Sequence, residues 1–247
     1  MPTKPEEKLQ QLVSRLHYVC GEDLVAVVLY GSAARDDYHE QYSDVNLLVV
    51  LRRMEPEIYP GLTGTLNWWS REQRQRPPNV MTLEELRESA DVFAIEMLDI
   101  QHSHKILHGE DVLAGIEVPM NLHRVEVEHD LRTTLLRLRN HLLLTSDGDE
   151  ELKAVMAKSV TSILVLFRHA LIALGDNPPH GKAQMLEHAA EVFGFDAKAL
   201  RKVLELRNQG HPVDNVRTLY HAYMNAILTV AHGLDVKSPK RQWHKHD

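Results

Sequence analysis

The chain has 247 residues, 43% of them hydrophobic and 26% charged, with a formal net charge of −7 when histidine is neutral. That balance belongs to a globular protein long enough for one large domain or two small ones, and it argues against a broad electrostatic grip on nucleic acid. Cys20 is the single cysteine, which excludes a disulfide framework and a cysteine-based zinc site. The start, Met1–Glu7, is polar without a signal-peptide pattern, and no apolar run reaches about 18 residues. The expectation is a cytoplasmic protein with no membrane partner.

The first part of the chain mixes helix and strand signals. Leu9, Leu12, Val13 and Leu16 fall on one helical face, which predicts a helix over 5–18. Leu24 to Tyr30 is a nearly continuous apolar run, as a buried strand requires, and Val45 to Leu51 is a second. Leu62 to Arg74 reads as a helix. Thr82 followed by Glu85 fits a capping box and starts a short helix over 83–90. Val92 to Ile100 reads as a third strand, and Ser103 to Leu107 as a helical turn ending at Gly109.

The second part has almost no strand character. Long amphipathic patterns cover 118–144 and 150–174, broken at Ser146-Asp147-Gly148-Asp149 and at Gly175-Asp176-Asn177-Pro178-Pro179. Three further helices follow over 184–193, 196–208 and 213–234, separated by Gly, Pro and Asn. Connections this short favour antiparallel neighbours and predict a helical bundle. The expected division is an α/β domain over 1–117, a bundle over 118–236 and a polar tail over 237–247.

One run carries the chemistry. Val27-Val28-Leu29-Tyr30-Gly31-Ser32-Ala33-Ala34-Arg35 ends a strand in Gly-Ser, and Tyr42-Ser43-Asp44-Val45-Asn46-Leu47 opens the next with Asp-x-Asn. Gly31 lets the backbone approach a phosphate oxygen, Ser32 adds a hydroxyl donor, and Arg35 lies one turn further on. Alternate strand residues share a face, so Asp44 and Asn46 point the same way. This pattern resembles the signature of DNA polymerase β-type nucleotidyltransferases. An α/β part followed by helices is also the layout of the minimal and aminoglycoside-type members. The resemblance implies an α+β fold: a polymerase β-like mixed sheet with helices, then a helical bundle.

In that family the two alternating strand positions are carboxylates that hold Mg²⁺ or Mn²⁺, and a third carboxylate comes from a later strand. The resemblance therefore assigns Asp44, Asn46 and Glu96 as metal ligands, with Asp44 and Glu96 catalytic and Gly31, Ser32 and Arg35 on the phosphates. Glu96 enters because Ile95-Glu96-Met97-Leu98-Asp99-Ile100 has the rhythm of that later strand. Asn46 departs from the pattern, since an amide oxygen brings no charge. Asp36 stands where the family often has Gly, and Asp36, Asp37 and Glu40 add negative charge nearby.

The activity implied is Mg²⁺-dependent transfer of a nucleoside monophosphate from an NTP, with ATP the first choice, to a hydroxyl on a small molecule or a protein; a homodimer is allowed. The alternative is a nucleotide-binding or regulatory protein that keeps the fold and has lost turnover. Leu206-Arg207-Asn208-Gln209-Gly210-His211 is similar to the Arg-Asn…His motif of HEPN-type ribonucleases, a minor third reading, with one residue fewer between Asn and His. His104 and His108, four apart, read as polar surface, as do His244 and His246 in the tail. Trp68-Trp69 reads as core.

Overall fold

The computed structural model describes residues 5–34, 45–145, 148–179, 181–209 and 213–237. The chain divides into two compact units, Met1–Pro119 and Met120–Asp247.

In the first unit, α1 (Pro5–Cys20) leads into β1 (Leu24–Tyr30). Then come β2 (Asn46–Leu51), α2 (Tyr59–Asn67), β3 (Asn79–Thr82), α3 (Leu83–Glu88), α4 (Ala94–His102) and β4 (His104–Gly109). The strands form one sheet in the order β3-β2-β1-β4. β1 runs antiparallel to both β2 and β4, and β3 runs parallel to β2.

Both faces of the sheet are covered, which is why β1 and β2 are apolar apart from Asn46 at the start of β2. On one face Val27, Leu29, Leu47 and Val49 pack with Leu12 and Leu16 of α1 and with Leu62, Trp68 and Trp69. On the other, Ala26, Val28, Leu48 and Val50 pack with Leu86 of α3 and with Met97 and Ile100 of α4. The helix predicted over 62–74 is α2 continued by a π-helical turn at Trp68–Glu72. Trp69 is buried and its indole N–H donates to the Arg76 carbonyl (3.0 Å), while the Arg15 guanidinium sits 4.3 Å from the Trp68 ring centre. The tryptophans are thus core. The capping box that starts α3 is present, with the Glu85 N–H donating to Thr82 Oγ1 and the Thr82 N–H to the Glu85 carboxylate.

Two expectations from the sequence are overturned. The segment over 92–100 is no strand: Ala94–His102 is helix α4. Its buried residues Ala94, Ile95, Met97 and Ile100 make a helical stripe, and Glu96, Met97 and Leu98 are good helix formers. The segment over 103–107 is no helical turn: His104–Gly109 is strand β4, paired along β1. Tertiary pairing with β1 decides between the two states here, as it does for short segments of mixed polarity.

The second unit is helical: α5 (Met120–Leu144), α6 (Asp149–Ala173), α7 (Lys182–Phe193), α8 (Lys198–Gln209) and α9 (Val216–Lys237). α6 is long and apolar enough to cross a membrane by length and composition alone. Its apolar residues Leu152, Met156, Val160, Ile163, Phe167 and Leu171 are buried inside the unit, which is the pattern of a central bundle helix. The tail residues over 238–247, with His244 and His246, lie outside the described residues.

Candidate functional site

The antiparallel register places Tyr30, the last residue of β1, opposite Asn46, the first of β2. On β2, Asn46 alternates with Leu48 and Val50 and so shares their face. The parallel pairing sets Asn79 of β3 beside Leu48, on that same face. Asn79 Nδ2 donates to the Tyr30 hydroxyl at 3.2 Å, which ties the start of β3 to the end of β1. Tyr30 and Asn46 are half-buried and Asn79 is exposed, so the cluster opens to solvent.

Gly31 follows directly, in the left-handed region at φ +76°. A Cβ there would meet Asn46 Nδ2 at 3.2 Å, so the Asn46 amide lies against the glycine's bare α-carbon. The Gly31 N–H donates to the Ser103 carbonyl (3.0 Å), and Ser103 Oγ donates back to the Gly31 carbonyl (3.4 Å). Gly31's own N–H is therefore committed within the protein, and its contribution to a ligand is close approach. Gly31–Ala34 form a single 3₁₀ turn. The Ser32 side chain, Arg35 and Asp44 lie outside what the structure describes.

Glu96 reaches this region by a different route from the one the sequence implied. It lies exposed on α4, not on a strand, so the strand rhythm by which the resemblance assigned it is not realised. α4 nonetheless packs on the sheet face that carries Tyr30 and Asn46. Burial raises the Tyr30 phenol pKa above its ordinary value; the nearby Arg76 cation opposes this, Glu96 adds to it, and the hydrogen bond from Asn79 opposes it. Arg76 and Glu96 are therefore electrostatic neighbours of the strand ends. Sequence reasoning missed Tyr30, Arg76 and Asn79. The available signal was Pro77-Pro78 followed by the short β-prone Val80-Met81-Thr82, ahead of the capping box.

Do these residues fit a resident Mg²⁺? Magnesium takes an octahedron of hard oxygens, and protein sites for it rely on carboxylates. Among the described residues, no three His, Cys, Asp or Glu side chains converge on a metal-sized site. Among the described residues the strand ends offer two neutral amides, Asn46 and Asn79, and the carboxylate of Glu96 on a helix. The described residues alone do not complete a magnesium site, and Asp44, the carboxylate assigned to it from the sequence, lies outside them.

The remaining candidates have structural explanations. His104 Nδ1 donates to the carbonyls of Ile100 and Gln101, whereas the His108 ring lies tilted against His17, with centroids 5.5 Å apart. The two histidines thus serve different contacts on β4. Arg207 of α8 donates to the Ala157 carbonyl (3.1 Å), and His211 of the ribonuclease-like motif lies outside the described residues. A groove of about 640 Å³ lies far in sequence from all of this, between α8 and α9, with Lys198, Lys202, Glu205, Thr218 and Asn225 among its lining. Size alone does not make it the reactive site, since among the described residues it holds no phosphate-binding turn.

Comparison with known proteins places the first unit. Residues 7–100 match the family model "nucleotidyltransferase domain". No curated protein sequence matches the chain. Among solved structures, a spectinomycin adenyltransferase from Enterococcus faecialis, crystallised with ATP and spectinomycin, matches at TM-score 0.55 and 14% identity, over 90% of this chain and 99% of that one. A nucleotidyltransferase-like protein from Exiguobacterium sibiricum matches at TM-score 0.38 and 13% identity, over 93% of this chain and 75% of that one. The first of these likenesses is one of fold: a mixed four-stranded sheet with helices, of the polymerase β-like kind, followed by a helical region. Over residues 7–100 the chain carries a domain of the nucleotidyltransferase family.

Proposed function

We propose that the first unit binds a nucleoside triphosphate, ATP foremost, at the strand ends around Tyr30, Gly31, Asn46 and Asn79, and transfers its nucleoside monophosphate to a hydroxyl on a small molecule. The observation that carries the reading is the Gly31 turn with the Asn46 amide packed against it, inside the stretch that matches the nucleotidyltransferase family. The Enterococcus protein, an adenyltransferase for spectinomycin, supports ATP as donor and a small molecule as acceptor.

In such a transfer the acceptor oxygen bonds to the α-phosphorus and the bond to the bridging oxygen of the β-phosphate breaks. Pyrophosphate leaves, and the hydroxyl proton passes to a base. We assign that role to Glu96, exposed on α4, the helix that packs on the sheet face carrying Tyr30. Strand-end amides would donate to the phosphate oxygens, and Gly31 would let them approach.

A second reading has a specific observation in its favour. Amides at both Asn46 and Asn79 suit a protein that binds the nucleotide without turning it over. The experiment is pyrophosphate release from ATP with pooled polyhydroxylated acceptors, in parallel with ATP binding. Release that is lost in Glu96→Gln supports transfer. Binding without release supports the non-catalytic reading, and neither binding nor release contradicts both.

A further inference from the structure

Helix α5 carries apolar side chains on two faces. Its inner face, with Val127, Leu131, Leu135 and Leu138, is buried against α6 and α9. On its outer face Leu122, Leu136 and Leu143 fall on one line, at intervals of seven residues or twice seven. His129 holds the remaining position on that line, and Val125 lies three residues on from Leu122. The four apolar residues are exposed, Leu136 at 55% and Leu143 at 75%. A helix that is apolar on both sides is expected to be covered on both.

The charges along α5 are sorted by sign. Between Met120 and Leu131 it holds Glu126, Glu128 and Asp130 against Arg124, and from Arg132 to Leu144 it holds Arg132, Arg137 and Arg139 and no acid. Glu128 is buried, accepting from Arg124 and Arg132. Glu126, Asp130, Arg137 and Arg139 flank the apolar line. The helix dipole does not account for the sorting, because its effect fades within the terminal turn and these four lie five or more positions from either end of Met120–Leu144. We propose that the outer face of α5 is the interface with a second copy of the chain, the two α5 helices running antiparallel across a two-fold axis. Such a contact presents the same patch twice. With the axis near Thr133, Leu122 lies opposite Leu143 of the partner subunit, and Glu126 lies opposite Arg139 of the partner subunit. Asp130 falls within a turn of Arg137 of the partner subunit. A parallel pairing would set acid on acid and base on base. The 25 residues of α5 present a face about 37 Å long and about 10 Å wide, so each copy buries roughly 400 Å², at the small end of specific interfaces.

The test is sedimentation velocity of the full chain from about 1 to about 200 µM, at low salt and at about 0.5 M NaCl. The expected result is a monomer–dimer equilibrium with a Kd on the order of tens of µM, weaker at high salt. Two variants carry one sign of charge along the whole face: Glu126→Arg with Asp130→Arg, and Arg137→Glu with Arg139→Glu. Each alone should weaken self-association by about tenfold or more, and an equimolar mixture of the two should associate at least as tightly as the wild type. Leu143→Gln, at an exposed position, should weaken it by about threefold or more and keeps the test open should a charge variant fail to fold by circular dichroism. A chain that stays monomeric over the whole range overturns the inference. So does a dimer indifferent to the folded variants, or a mixture no tighter than either charge variant alone, since the copies then meet elsewhere.

Discussion

Replacing Gly109 with alanine should destabilise the first unit by about 3 kcal/mol or more, because two penalties fall on one residue. Gly109 ends β4 at φ +78°, where an L side chain is strained. A Cβ there would also stand 1.9 Å from the Val25 carbonyl oxygen and 2.9 Å from its carbon, both backbone atoms of β1 that cannot turn aside. The strand pair would have to part at the Ala26–Gly109 end of its register. Gly21 is the internal control. It has φ +52° but no heavy atom within 4 Å of a built Cβ, so Gly21→Ala should cost only about 1 kcal/mol. Urea denaturation followed by tryptophan fluorescence reads this directly, since Trp68 and Trp69 are buried in the first unit. Similar midpoints for the two variants would show that β4 is not held against β1 as described.

Asn46→Asp should move ligand binding more than it moves stability. The change is nearly isosteric, but it puts a carboxylate beside Gly31 and the phosphate path. At an effective dielectric of about 20, two unit charges roughly 5 Å apart repel by about 3 kcal/mol, and the open cleft screens part of that. ATP affinity in EDTA should therefore fall by about tenfold or more, and Mg²⁺ should restore it by bridging the new carboxylate to the phosphates. Pyrophosphate release, if the wild type shows any, should rise with Mg²⁺ in the variant, since metal charge stabilises the transferring phosphoryl group. Titrating ATP into both proteins, with and without metal, measures the effect. Affinity unchanged in EDTA would mean that Asn46 does not face the phosphates.

Much of the scaffold was legible because long periodic or uniformly apolar segments leave little choice. β1 and β2 are buried on both faces and read as unbroken apolar runs, and the Thr82–Glu85 box marked the start of α3. The helices of the second unit were visible from their spacing and from Gly-Pro-Asn breaks. What failed was the short stretch over 92–109. Ile95-Glu96-Met97-Leu98-Asp99-Ile100 satisfies a strand rhythm and a helical stripe equally, and pairing of His104–Gly109 with β1 settled the matter through long-range contacts that no local pattern encodes. The site was half legible for the same reason. Gly31 and Asn46 stood out because they sit at the ends of clear strands. Asn79 and Arg76 did not, because β3 is four residues long and its place beside β2 is a fact of topology.

The central claim is that the strand ends of the first unit hold a nucleoside triphosphate. The measurement that tests it most directly is an NMR titration of the isotope-labelled full chain with ATP, following backbone amides and the side-chain amides of asparagine. The account predicts that the largest shift changes fall on Tyr30 and Gly31 and on the side-chain amides of Asn46 and Asn79, saturating together on one binding curve. Changes confined to the groove between α8 and α9, or no change at saturating ATP, would contradict it.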